Sequence, residues 1–98
     1  MSSDGDDVID KVIHEPARLK IVAQLYVVDS ADMVFIMQQL GLTWGNLSSH
    51  VTKLEKVGYI EVTKEFFEKK PRTTLKLTDA GRTAFEQYRK SIKRMLDV

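Results

Sequence analysis

The chain has 98 residues, 43% of them hydrophobic and 30% charged, a length that suits one compact domain and leaves no room for two cores. The absence of cysteine excludes thiolate catalysis, disulfide staples and Cys-based zinc or iron–sulfur sites, and the two histidines, His14 and His50, cannot alone make a three-ligand histidine site. No stretch approaches the ~18 apolar residues of a membrane span, and acids stand in the first fifteen residues where a secretory signal would carry bases and an apolar run, so a soluble, cytoplasmic protein is expected.

The net charge of +1 conceals an uneven layout, because Asp4, Asp6, Asp7 and Asp10 precede the first base. Residues 11–98 hold all 15 bases and only 10 of the 14 acids, a net charge of +5. That excess favours contact with a polyanion without establishing it.

Residues 1–7 read as an acidic, mobile tail, and 8–98 as the domain. Val8, Ile9, Val12 and Ile13 make one face of a short first helix over 8–14, which the residue before Pro16 should interrupt. A second helix, from Glu15 to Val28, starts with proline at its first position. Its apolar residues run almost all round, with Arg18, Lys20 and Gln24 as the polar breaks, so it reads as the central helix, covered on most sides. Ser30 or Asp32 can cap a third helix carrying Met33, Phe35, Ile36, Met37 and Leu40, with Gly41 as its left-handed stop.

Only Gly41 to Thr43 separate this helix from the next. Thr43 caps a helix over 43–57 with Leu47, Val51 and Leu54 as its apolar seam, and two helices joined by so short a glycine turn form a helix-turn-helix. Past Gly58 the period changes to 2: Ile60, Val62 and Phe66 alternate with polar residues, as do Leu75 and Leu77. The segment 68–73, Glu-Lys-Lys-Pro-Arg-Thr, reads as a long basic hairpin tip rather than a tight two-residue turn. Thr78 then caps a last helix over 79–97. The expected order is therefore α-α-α-α-β-β-α, mainly helical with a β-hairpin wing.

The 43–57 helix turns Gly45, Ser49, Thr52 and Lys56 away from its seam, flanked by Ser48 and Lys53. This outer face carries no acid, and Glu55 sits on the flank. Small residues permit close approach to a major groove, hydroxyls reach phosphates or base edges, and lysines offset phosphate charge; an ordinary solvated face has the same composition. In the hairpin, Lys69, Lys70 and Arg72 can reach a minor groove beside such a helix, or simply protect a sheet edge.

Read together, Leu42-Thr43-Trp44-Gly45-Asn46-Leu47-Ser48-Ser49-His50-Val51, Leu54-Glu55-Lys56-Val57-Gly58-Tyr59-Ile60, Pro71-Arg72-Thr73 and Leu77-Thr78-Asp79-Ala80-Gly81 resemble the small winged-helix transcriptional regulators related to the MarR and ArsR groups. The resemblance covers about Ile13 to Tyr88. It implies a winged helix-turn-helix homodimer that places the 43–57 helix in the major groove of duplex DNA and the wing on the backbone or minor groove. It also implies DNA contacts at Gly45, Asn46, Ser48, Ser49, Thr52 and Lys53, with Lys70 and Arg72 in the wing. The outer face and charge pattern add Thr43, Lys56 and Lys69. Ser30 to Leu40 lacks the cysteine motif of ArsR-type metal sensors, and the chain has little length for the extra helices that form a ligand pocket in longer MarR-like proteins; an effector is left undefined.

Phe85, Tyr88, Ile92 and Met95, with Leu96 beside them, make a stripe close to a coiled-coil seam on the last helix. From Tyr88 onward the stripe outruns a three-helix core, so Tyr88, Ile92, Met95 and Leu96, together with Val8, Ile9 and Val12, are the expected dimer interface. The alternative is a helix that folds back on its own domain. Trp44 and His50, on either flank of the seam, read as packing residues, His14 as a helix-junction residue, and Met33, Met37 and Met95 as core or interface filler. Glu61, Glu65 and Glu68 read as a solvated edge, because nothing nearby supplies a second catalytic role. Without a nucleophile–base pair, metal set or glycine-rich phosphate loop, neither an enzyme nor a cofactor is expected. A winged helix serving as a protein-interaction module of a transcription-related complex is the other functional reading.

Overall fold

The computed structural model describes residues 8–97; the acidic tail expected at 1–7 lies outside them. Its elements are α1 (Pro16–Val28), β1 (Ser30–Asp32), α2 (Met33–Leu40), α3 (Trp44–Lys56), β2 (Ile60–Phe67), β3 (Lys70–Leu77) and α4 (Asp79–Leu96). The strands form one antiparallel sheet in the order β1-β3-β2.

Local chemistry sets the helix boundaries. The Glu15 carboxylate accepts from the Arg18 amide at the start of α1, Asp32 from the Val34 amide in α2, Thr43 Oγ1 from the Asn46 amide in α3, and Thr78 Oγ1 from the Gly81 amide in α4. Each satisfies one of the amides that a helix N-terminus leaves orphaned. Helix α2 stops at Gly41, whose φ of 65° lies in the left-handed region that costs glycine nothing.

The helix expected over 8–14 is instead a single turn. Asp10 Oδ1 accepts from the amides of Val12 at 2.9 Å and Ile13 at 3.1 Å, and Pro16 bars the helical region to the residue before it. Between that cap and that block there is space for one turn and no propagation. Strand β1 was not expected either: its three residues pair Ser30 with Lys76, Ala31 with Leu75 and Asp32 with Thr74, and three residues are too few to display a period.

The hairpin also differs from expectation at its tip. Pairing continues to Phe67↔Lys70, leaving Glu68 (φ 51°) and Lys69 (φ 67°) as a tight two-residue turn with both residues left-handed. Such a turn matches the twist of the strands but normally takes Asn-Gly or Asp-Gly, so Glu-Lys gave no sign of it. Pro71 is tolerated within β3 because its position, opposite Phe66, falls between the bonded pairs of a two-residue hairpin, where the missing N–H points away from β2.

The core gathers Ile13, then Ile21, Val22 and Leu25 of α1, Met33 and Ile36 of α2, Leu47, Val51 and Leu54 of α3, Ile60, Leu75 and Leu77 of the sheet, and Phe85 and Tyr88 of α4. Burying each such side chain contributes roughly 1.5–3 kcal/mol. Helix α1 packs against α2, α3, α4 and β3 and is the central helix, as expected. It is less enclosed than its composition suggests, since Val27 is 80% exposed. Helix α4 crosses the start of the wing closely: a Cβ added to Gly81 would clash with the Tyr59 carbonyl and lie 2.8 Å from Leu77.

Candidate nucleic-acid interface

Helix α3 is fixed by its seam and by a polar brace. Leu47, Val51 and Leu54 are buried. On the flank of the seam, His50 Nδ1 lies 3.2 Å from an Arg18 guanidinium nitrogen, and the Arg18 Nε donates to the Val12 carbonyl at 2.6 Å. Arginine can only donate, so this contact requires an unprotonated Nδ1. The Glu15 carboxylate lies nearby, its Oε1 3.8 Å from His50 Nδ1, and its carboxyl is held below the ordinary range, first by the hydrogen bond from the Arg18 amide. His50 is thus the structural residue its position suggested. His14 likewise bonds within the domain, its Nδ1 lying 2.8 Å from the Tyr88 hydroxyl.

With the seam turned inward, Gly45, Asn46, Ser49, Thr52, Lys53 and Lys56 are exposed, Ser48 is half-buried at the flank, and Thr43 is exposed while capping the helix. The expected groove-facing residues therefore share one accessible surface. Trp44 is 49% exposed, more open than the packing role expected of it. It borders a shallow groove between α3 and the wing, with Ser48, Thr52 and Glu55 on one wall and Val62, Lys64 and Thr73 on the other. Sequence reasoning passed over Lys64; strand alternation was the signal that places it on the α3 side of the sheet, two residues beyond Val62.

Lys69, Lys70 and Arg72 are exposed in the wing, but Arg72 is already engaged. Its Nε donates to Asp32 Oδ2 at 3.1 Å, and its guanidinium lies 4.9 Å from the centre of the Phe67 ring. Asp32 thus uses one oxygen to cap α2 and the other to hold the wing. A solvent-exposed pair of this kind contributes about 0–1 kcal/mol, which leaves Arg72 able to exchange partners.

The residues expected at a dimer interface divide. Tyr88 is only 7% exposed and belongs largely to the domain's own core, its hydroxyl 2.8 Å from His14 Nδ1. Ile9, Val12 and Ile92 are half-buried against that core, whereas Val8, Met95 and Leu96 are exposed. The reason is the turn at 8–14, which folds back onto α4: Tyr59 donates to Asp10 Oδ2 at 2.5 Å beside it. Burial, the hydrogen bond to Asp10 and the charge of that carboxylate together push the Tyr59 hydroxyl up to about 12. Between α1 and α4 lies an open groove of about 800 Å³, bordered by Leu19, Tyr26, Phe85, Arg89, Ile92 and Lys93, larger than the chain's length suggested. Among the described residues, no His, Cys, Asp or Glu group is placed to hold a metal ion, and no helix is long and apolar enough to cross a membrane.

Two helices joined through Gly41–Thr43, followed by a hairpin that packs beside the second of them, define a winged helix-turn-helix. The chain belongs to the winged helix DNA-binding domain family, which it matches over residues 17–96. It is 36% identical over 78 residues to the uncharacterized protein MJ0432 of Methanocaldococcus jannaschii, a match covering 80% of this chain and 85% of that one. A transcriptional regulator homologue from Pyrococcus horikoshii OT3 superposes with a TM-score of 0.83 at 32% identity, covering 88% of this chain and 85% of the other. Overoxidized AbfR bound to DNA shares the fold at a TM-score of 0.74 and 19% identity, covering 82% of this chain and 58% of AbfR. The resemblance to small winged-helix regulators, drawn above from the α3 and wing segments, is borne out.

Proposed function

We propose that the protein is a homodimeric, sequence-specific transcriptional regulator of the cytoplasm that inserts α3 into the major groove of duplex DNA. The observation that carries this reading is the outer face of α3, where Gly45, Asn46, Ser49, Thr52, Lys53 and Lys56 are exposed together and the helix's one acid, Glu55, stands exposed on the flank. Asn46, Ser49 and Thr52 have the donors and acceptors to read base edges, and Thr43, Ser48, Lys53 and Lys56 position the helix on phosphates. Lys69, Lys70 and Arg72 extend the contact onto the backbone or minor groove, Arg72 by leaving Asp32. The family, and the DNA-bound state of a structural relative, support this reading.

Dimerisation buries the apolar surface that each domain leaves open at Met95 and Leu96, continuous through Ile92 with the α1–α4 groove. Two-fold symmetry then calls for a roughly palindromic site with half-sites about one helical turn apart. No site for catalysis or for a cofactor enters this mechanism.

Fluorescence anisotropy with labelled duplex across a salt series, with the mass of the complex measured alongside, tests the proposal. A dimer whose affinity falls steeply as salt rises is the expected result. No binding at low salt would overturn it and favour a protein-interaction module, to be pursued by identifying a partner chain.

A further inference from the structure

At the end of the wing, Phe66 is 79% exposed, although it lies on the same strand face as the buried Ile60 and the half-buried Val62. By strand alternation that face carries Ile60, Val62, Lys64 and Phe66 of β2 and, opposite them in register, Leu77, Leu75, Thr73 and Pro71 of β3. Lys64 is its one charged residue. The strand acids Glu61 and Glu65 fall on the other face, with Arg72, Lys70 and Phe67. The two adjacent phenylalanines therefore have different surroundings: Phe67 lies under the Arg72 guanidinium, whereas Phe66 projects from the face that borders α3, beyond the groove shared with Trp44, Ser48 and Thr52.

We propose that Phe66 is an apolar wedge that the wing drives between base steps in the minor groove of bound DNA. The inference rests on the DNA-binding reading above and adds to it a deforming contact. Charge identifies the occupant: Lys64 is the one charged residue on the Phe66 strand face, and at the end of the wing Lys64, Lys69, Lys70 and Arg72 outnumber Glu65 and Glu68, so that this end is net basic. That setting suits a polyanion and not an apolar partner surface. The support is stiff, since two eight-residue strands joined by a two-residue turn hold the tip, and Pro71, directly across from Phe66, has no N–H to leave unsatisfied. With α3 in the major groove, the tip of an adjoining hairpin lies over the neighbouring minor groove. There an inserted aromatic ring partly unstacks a step and bends the duplex toward the major groove, most easily at pyrimidine–purine steps.

The test uses a duplex selected from a randomised pool for binding to the full chain, with donor and acceptor dyes at its two ends. Wild-type protein is expected to bring the dyes closer and to favour pyrimidine–purine steps at the flank reached by the wing. Phe66→Ala should keep the melting temperature, because the side chain is exposed, yet lose the bend and bind about tenfold more weakly. Phe67→Ala should keep the bend. A Phe66→Ala protein that bends and binds like wild type overturns the wedge while the DNA-binding reading stands. Equal losses from Phe67→Ala overturn the assignment to Phe66. If no member of the pool is bound even at low salt, the wedge fails together with the reading beneath it.

Discussion

Helices α3 and α4 follow the same plan, an apolar stripe on one side and a polar, largely basic face on the other, but they end differently. The stripe of α3, Leu47, Val51 and Leu54, lies wholly within the domain core. That of α4 begins there with Phe85 and Tyr88, half emerges at Ile92 and finishes in solvent, where Leu96 is 76% exposed. The contrast shows that periodicity defines a helix and its inner face, while the extent of the neighbouring elements decides where burial stops. The first helix has its whole inner face committed to the fold, which leaves its outer face open to solvent. The second has inner face left over.

The largest separation between the two should come from truncating their stripes. Leu54→Ala is expected to cost about 2–5 kcal/mol in chemical denaturation, the range for a fully buried leucine, whereas Leu96→Ala should change the stability of the domain by less than about 0.5 kcal/mol and shift a dimer toward monomer in sedimentation equilibrium. A comparable loss from both would mean that α4 is buried to its end. Next comes the junction of α4 with the wing. Gly81→Ala should destabilise by about 1–3 kcal/mol, because the new methyl meets the Tyr59 carbonyl, a backbone atom held by the Thr78 amide; an unchanged melting temperature would show that the helix can shift away.

The outer face of α3 should respond in the opposite manner. Ser49→Glu places a negative charge at its centre and should abolish specific DNA binding while moving stability by no more than about 0.5 kcal/mol; normal binding would displace the recognition face from this helix. The smallest effect is a pH dependence near the junction with α4. Tyr59 holds its proton up to about 12 in the folded chain against an ordinary 10.0, so above pH 10 the unfolded chain ionises first and stability falls as pH rises from about 10 to about 12. Tyr59→Phe should flatten that decline, and an unchanged slope would mean that the hydroxyl is not shielded by burial and Asp10.

What was legible in the sequence was whatever a single side chain or a sustained period can specify. Asp32, Thr43 and Thr78 cap the helices assigned to them, Gly41 ends α2, and the acid-free face of α3 lies open as its spacing required. The misreadings arose where pairing or competition decided the outcome. Val8, Ile9, Val12 and Ile13 have helical spacing, but the carboxylate of Asp10 captured the amides that a helix needed. Strand β1 exists only because β3 lies beside it, and the Glu68–Lys69 turn follows from strand twist rather than from its residues. The contact of Tyr88 with His14, 74 positions away in the chain, was likewise invisible along one helix. In the candidate site, the α3 residues were legible, Lys64 was legible by strand alternation but passed over, and the open position of Trp44 was not legible, because it depends on how the wing leans against α3.

The carboxylate of Asp32 makes the cap of α2 and the grip on Arg72 parts of one residue, and this has a consequence for how the wing meets DNA. In the proposed complex a lysine at the tip turns from water to a phosphate, whereas Arg72 exchanges one anion for another and leaves Asp32 with the Val34 amide as its remaining partner. On that reading the attraction of Arg72 to DNA is a difference between two ion pairs, favourable where a phosphate meets the guanidinium better than Asp32 does. In the proposed complex Asp32 is thus a competitor worth no more than about 1 kcal/mol, and Asp32→Asn, by removing it, should strengthen binding to unrelated sequences slightly more than to the preferred site.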